Sequence, residues 1–271
     1  MTSPILYEDN HLLIINKQPG EIVQGDKTGD EPMAEVLKTY IKAKYHKPGE
    51  VFLGVVHRLD RPVSGAVIFA RTSKAMARMN ELLKNREIRK VYWAIVGSSQ
   101  FPVRSSQLAV RSSQFAVRSS QSIQRNEKPE PGTGDWEPRT ADWNHLTHYL
   151  KKNEQQNKSY VHDLPGEGRL KAELKYRKIA SCERYDLLEV ELLTGRHHQI
   201  RAQLAAIGYP IKGDLKYGFP RSNPDGSISL HARLVEFVHP VRQELMNIMA
   251  PVPEDKLWNV LKNNIVPNIV T

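Results

Sequence analysis

Three short stretches of the 271-residue chain hold side chains whose types and spacing could do chemistry. The first, Val55 to Gly65, reads VVHRLDRPVSG and sets one carboxylate, Asp60, between Arg58 and Arg61 on a loop that leaves a strand. Cations within about 4–6 Å favour an ionised carboxylate, so Asp60 is better suited as nucleophile or base than as proton donor near neutral pH. The plainer reading is an aspartate that pairs with arginine or closes a turn.

The second stretch, Leu192 to Asp214, reads LLTGRHHQIRAQLAAIGYPIKGD. Arg196 and Arg201 stand at the start of a helix, whose free N–H groups attract anions, and Gly195 before it permits close backbone approach. A solvated basic helix face accounts for the same residues. His197 and His198 are adjacent, so they point to different helix faces, and no carboxylate recurs at helical spacing; no metal site is expected. The third stretch, Lys90 to Val96, reads KVYWAIV, with Tyr92 on the strand face of Lys90 and Ala94. Periodicity alone does not distinguish a base-stacking ring from a packed one.

These stretches need elements to position them. Leu12 to Ile15 reads as a strand before the Pro19-Gly20 turn, and Asp30 as the N-cap of a helix with Met33, Val36, Leu37, Tyr40 and Ile41 on one face. Strands over Val51–Val56 and Gly65–Ala70 flank the Asp60 loop, and a helix capped by Thr72 or Ser73 runs to Asn85. A strand follows over Arg89–Val96. Farther on come strands over Ala172–Ala180 and Tyr185–Leu193, a helix from about Arg196 to Ile207, a final strand over Ile228–Val238 and a closing helix over Pro251–Leu261. Strands and helices mix without regular alternation, so the fold class is α+β.

Between Ser98 and Arg125 the chain repeats four consecutive units, SSQFPVR, SSQLAVR, SSQFAVR and SSQSIQR. The apolar residues bunch inside each unit rather than falling three and four apart, which excludes a coiled coil, and seven residues are too few for a solenoid unit. Residues 98–140 therefore read as a low-complexity insertion, either a neutral expansion or an extra partner-contacting loop with arginines at a spacing of seven. The net charge is +9; the insertion holds six Lys/Arg and four Asp/Glu, so +7 belongs to the rest. Such a surplus favours a polyanionic partner. The single cysteine, Cys182, excludes an internal disulfide, the first residues lack a signal peptide, and no apolar run nears the roughly 18 residues of a membrane span. A soluble cytoplasmic protein is expected.

In this order the motifs resemble the RluA family of pseudouridine synthases. The signature HRLD followed by SG stands at His57-Arg58-Leu59-Asp60 and Ser64-Gly65, K-x-Y at Lys90-Val91-Tyr92, and TGR-x-HQIR at Thr194 to Arg201, with G-x-P-I-x-GD-x-x-YG over Gly208 to Gly218. The resemblance covers nearly all of the chain outside 98–140. One departure is Val63, where many members carry threonine.

The resemblance implies a central, mostly antiparallel mixed β-sheet flanked by helices and loops, with the active-site cleft across it. It implies one catalytic domain over 1–271; no separate N-terminal RNA-binding module is expected, since the strand pattern begins within the first dozen residues. The implied activity is isomerisation of specific uridines in ribosomal or transfer RNA without cofactor or metal; a monomer is the default expectation. Asp60 would be the essential carboxylate, as nucleophile or base, Arg201 would pair with it, and Tyr92 would lie against the uracil. Arg58 would enter the space left by the extruded uridine, Ile200 would pack under the site, and Arg61, Arg196 and Gln199 would join Arg58 and Ile200 in binding substrate. The competing expectation is a catalytically silent RNA-binding protein on the same scaffold.

Overall fold

A computed structural model describes residues 3–25, 29–98 and 143–265. Its strands are β1 (Ile5–Glu8), β2 (Leu12–Lys17), β3 (Gly54–Val55), β4 (Ser64–Ala70), β5 (Arg89–Gly97), β6 (Asn144–Asn153), β7 (Lys158–His162), β8 (Leu170–Ser181), β9 (Tyr185–Leu192), β10 (Leu230–Val238) and β11 (Leu245–Met249). The helices are α1 (Met33–Lys44), α2 (Ser73–Lys84), α3 (Gln199–Ala206) and α4 (Lys256–Asn263). The described strands form one mixed sheet in the order β1-β2-β4-β10-β5-β9-β8-β6-β7, with β3 on β4 and β11 on β10. Its pairings are antiparallel except β4 with β10, where Ser64 faces His231 and Gly65 faces Ala232. None of the described helices is long and apolar enough to cross a membrane.

The two-residue period of the central strands sorts their side chains onto two covered faces. Leu13, Ile15, Val67, Phe69, Tyr92 and Ala94 join Leu37 and Ile41 of α1 and Ile200 and Leu204 of α3 in one apolar cluster. On the other face Leu12, Ile14, Ala66 and Ile68 meet Ala75 and Met79 of α2, while Trp93 and Ile95 meet Trp258 and Leu261 of α4. Thr72 caps α2 by accepting the Ala75 N–H at 3.1 Å, and Asp255 caps α4.

Several sequence expectations are corrected. Pro32, not Asp30, precedes α1; the Asp30 carboxylate is drawn instead to Arg61 at 2.7 Å. The strand expected over Val51–Val56 shrinks to β3, because in this register Val51 to Leu53 would oppose Arg71 to Ser73, beyond the end of β4 at Ala70. α3 starts at Gln199 rather than Arg196, since His198 adopts a left-handed φ of 52° that breaks helical geometry. β10 is not the last strand: β11 pairs along it. β1, β6 and β7 carried no readable signal; in β6 and β7 only Leu150 and Ser159 are buried, with Leu146 and Val161 partly buried against the apolar clusters. The heptapeptide repeats, apart from Ser98, lie outside the described residues.

Candidate active site

The loop after β3 is held from three sides. Lys17, 0% exposed at the end of β2, donates its ammonium hydrogens to the carbonyls of Gln18, Arg61 and Val63 at 3.1, 3.0 and 2.6 Å. The N–H groups of Gly20 and Ile228 bond to the carbonyls of Arg61 and Pro62. The loop closes on itself where the Val63 N–H bonds to the Asp60 carbonyl at 3.0 Å. Gly65 then meets β10 so closely that a Cβ there would lie 2.4 Å from the Ala232 oxygen, and its φ is +116°. The Ser64 hydroxyl is 2.9 Å from His231 Nδ1, while His231 Nε2 lies 3.2 Å from the Ala250 carbonyl. The Ser-Gly pair thus joins two strands and takes no part in the polar cluster around Asp60.

Asp60 is brought against Arg201, the third residue of α3, which donates from Nη1 to Asp60 Oδ2 at 2.8 Å. Behind Arg201 stands Asp214, 1% exposed, accepting from Nε at 2.7 Å and from Nη2 at 2.9 Å. This two-pronged pairing fixes the guanidinium plane. The Asp60 side chain keeps 31% of its area open. Burial on its own would raise its pKa; His198 and Arg201 lower it more, and the carboxyl sits below its ordinary value. Burial pushes the His198 imidazole down to about 3, so near neutral pH the cation beside Asp60 is Arg201. Burial also opposes the Arg201 charge, but the bonds and charges of Asp214 and Asp60 prevail and keep it cationic.

Tyr92 lies on the covered face with Ile200 and Leu59. Burial, then the Asp60 charge, raises its phenol well above the ordinary value, so it is neutral; its hydroxyl bonds no described residue. Arg58 is exposed, and its side chain makes no hydrogen bond or ion pair with a described residue. Arg61 is turned toward Asp30, and Arg196 is exposed, with its Nε donating to the Lys171 carbonyl at 3.1 Å. Gln199 is buried and spent on the turn before α3: its oxygen accepts from Thr194 Oγ1 and the Arg196 N–H at 2.8 and 2.9 Å, and its nitrogen donates to the Glu173 carbonyl. That fold-back takes up the Arg196 N–H, ahead of α3. A Cβ on Gly195 would meet only Lys90 Nζ, at 3.7 Å, so packing does not demand glycine there. Val63 is buried in the same cluster as Tyr92.

Sequence reasoning gave no role to Lys17, Asp214 or Tyr217. Asp214 and Tyr217 fall in the quoted Gly208 to Gly218 stretch, but turns carry no periodicity to reveal a partner. Chemically, the arrangement is an ionised, half-open carboxylate with a fixed cation on one oxygen and a neutral phenol nearby. It suits attack on, or proton removal from, an electrophilic ligand.

The fold is that of the pseudouridine synthases. Human RNA pseudouridylate synthase domain containing 4 superposes with a TM-score of 0.63 at 21% identity, over 93% of this chain and 89% of that one. The sequence profile of the RNA pseudouridylate synthase family matches residues 11–206. Ribosomal large subunit pseudouridine synthase D of Xylella fastidiosa is 30% identical over 265 residues, covering 93% of this chain and 66% of that protein. An uncharacterized RNA pseudouridine synthase of Bacillus subtilis is 31% identical over 252 residues, covering 93% and 69%. Ribosomal large subunit pseudouridine synthase C of Escherichia coli is 29% identical over 259 residues, covering 92% and 66%. The chain spans about two thirds of the length of these curated relatives. It belongs to the RNA pseudouridylate synthase family, the isomerases that convert uridine in RNA to pseudouridine.

Proposed function

We propose that this chain isomerises specific uridines of ribosomal or transfer RNA, with Asp60, Tyr92 and Arg201 around the reacting nucleotide. The observation that carries the reading is the Arg201–Asp60 pair at 2.8 Å beside a half-open carboxylate, in a chain of this family. Relatives named for the large ribosomal subunit favour the ribosomal substrate. In the reaction the C1′–N1 bond breaks and C1′–C5 forms, the C5 proton leaves and N1 gains one, so atoms balance without a co-reactant. Asp60 acts at the ribose, as nucleophile or as base, and Arg201 keeps it ionised and aimed. The neutral Tyr92 ring lies against the uracil, over Ile200.

Reaching a glycosidic bond inside structured RNA requires extruding the base, at a cost of a few kcal/mol. Arg58, exposed and without a protein partner, fills the space left behind and offsets part of that cost. Arg61 and Arg196 contribute to the positive field that holds phosphates, an attraction weakened by salt. The enzyme works as a monomeric catalytic domain in the cytoplasm, with 98–140 as a neutral insertion. The test is to incubate RNA from cells lacking the gene with the purified protein and map pseudouridine. One or a few new sites are expected, none with Asp60→Asn. Full activity in Asp60→Asn overturns the reading, and tight binding without any new pseudouridine returns the silent RNA-binding alternative.

A further inference from the structure

Both protein contacts to the Asp60 carboxylate reach the same oxygen. Arg201 Nη1 lies 2.8 Å from Oδ2 and His198 Nε2 lies 3.5 Å from it, while Oδ1 bonds no described residue. His198 is anchored at its other nitrogen: Nδ1 is 3.0 Å from the Tyr217 hydroxyl, which accepts the Ser159 N–H at 2.9 Å. Burial pushes the Tyr217 phenol up to about 12, so it keeps its proton. Its two possible acceptors are His198 Nδ1 at 3.0 Å and the Ser159 carbonyl at 3.3 Å, and the shorter contact makes Nδ1 the acceptor. The hydrogen of the neutral imidazole then sits on Nε2 and points at Asp60.

The backbone supports the same assignment. His198 is 9% exposed and has a φ of 52°, in the left-handed region that costs a residue with a Cβ about 1–3 kcal/mol. Its ring is stacked on His197 at 3.8 Å and meets Tyr217 edge-on at 5.7 Å. The strain is thus borne by a side chain whose orientation is set by the His197 stack, by Tyr217 at Nδ1 and by Asp60 at Nε2.

We propose that His198 is a positioning residue: with its tautomer set by Tyr217, it donates from Nε2 to Asp60 Oδ2, and with Arg201 it presents Oδ1 alone to the nucleotide. The 3.5 Å separation closes in the substrate complex, as such contacts often do. This rests on the reading that Asp60 is the reacting carboxylate. Besides Asp60, the groups acting on His198 are Arg201, His197 and Lys216; Asp60 also feels His197 and acts on Lys17 and Tyr92.

The test uses the full chain and RNA from cells lacking the gene, labelled with tritium at uridine C5, reading tritium release in single turnover across pH. His198→Asn removes the donor at the Nε2 position, and asparagine is at home in the left-handed region, so this variant folds. It should slow release on the order of 10–100-fold with unchanged RNA affinity. Its acid limb should move to higher pH, because an ionised carboxylate that loses a donor binds its proton more tightly. His198→Gln, which carries an amide N–H near the Nε2 position, should recover most of the rate and the limb, and Tyr217→Phe should lie between. A merely structural histidine gives no shift of the limb and no difference between Asn and Gln; either result, in folded protein by thermal melting, overturns the proposal. Full release by Asp60→Asn in the same assay instead removes the reading beneath it.

Discussion

Asp214 grips Arg201 through both carboxylate oxygens, at 2.7 Å to Nε and 2.9 Å to Nη2, and so leaves Nη1 as the arm offered to Asp60. Both side chains are buried, so breaking the pair strands a charge. Asp214→Asn should cost about 3–5 kcal/mol of stability. Loosening the guanidinium should also cut turnover about 10²-fold, since small misplacements near the chemistry weigh heavily. Denaturant melts with tritium-release rates check both, and a stability loss below about 1 kcal/mol would count against the structural part.

Arg58 separates binding from folding. Its side chain has no partner among the described residues, so Arg58→Ala should leave stability within about 0.5 kcal/mol. If the side chain fills the gap left by an extruded uridine, losing about 1.4 kcal/mol of that offset slows single turnover about tenfold. Stopped-flow rates on duplex and single-stranded RNA distinguish this from a phosphate contact, because only the duplex rate should fall.

On the acid side, activity should persist below the ordinary carboxylate range, because Asp60 is held low. His198, already neutral above about 3, should add no limb near the usual imidazole value. The same shift acts on folding: with a folded pKa below the unfolded one, the Asp60 contribution is fully present above the unfolded pKa. It is lost as pH falls through the folded pKa. A pH series of rates and melts, each compared with Asp60→Asn, reads both.

Gly65→Ala should destabilise the protein by about 2–4 kcal/mol, combining a positive φ with a clash against the Ala232 backbone. Chemical denaturation measures it. A neutral result would mean that β4 and β10 part easily.

The sequence displayed the central strands and the Asp60, Tyr92 and Arg201 motifs because each has a local signature: an apolar run, or a fixed string of residues. What it hid acts through contacts between distant segments. Lys17 looks like the polar end of a strand, yet it is fully buried and holds the loop some 44 residues later. Asp214 sits 13 residues after Arg201 in an aperiodic turn. Asp30 looks like a cap until Arg61 takes its carboxylate. β6 and β7 escaped notice because their few apolar residues, Leu146, Leu150 and Val161, are scattered among polar ones.

The place of β10 bears on how the molecule is made. It lies between β4, which follows the Asp60 loop, and β5, which carries Tyr92 and pairs with the β9 strand leading to Arg201. Until residues 230–238 leave the ribosome, at about 5–20 residues per second, the strand that joins the part of the sheet beside the carboxylate to the part beside its cation is missing. Synthesis therefore produces no working intermediate, and a chain stopped short of β10 exposes two strand edges that invite aggregation.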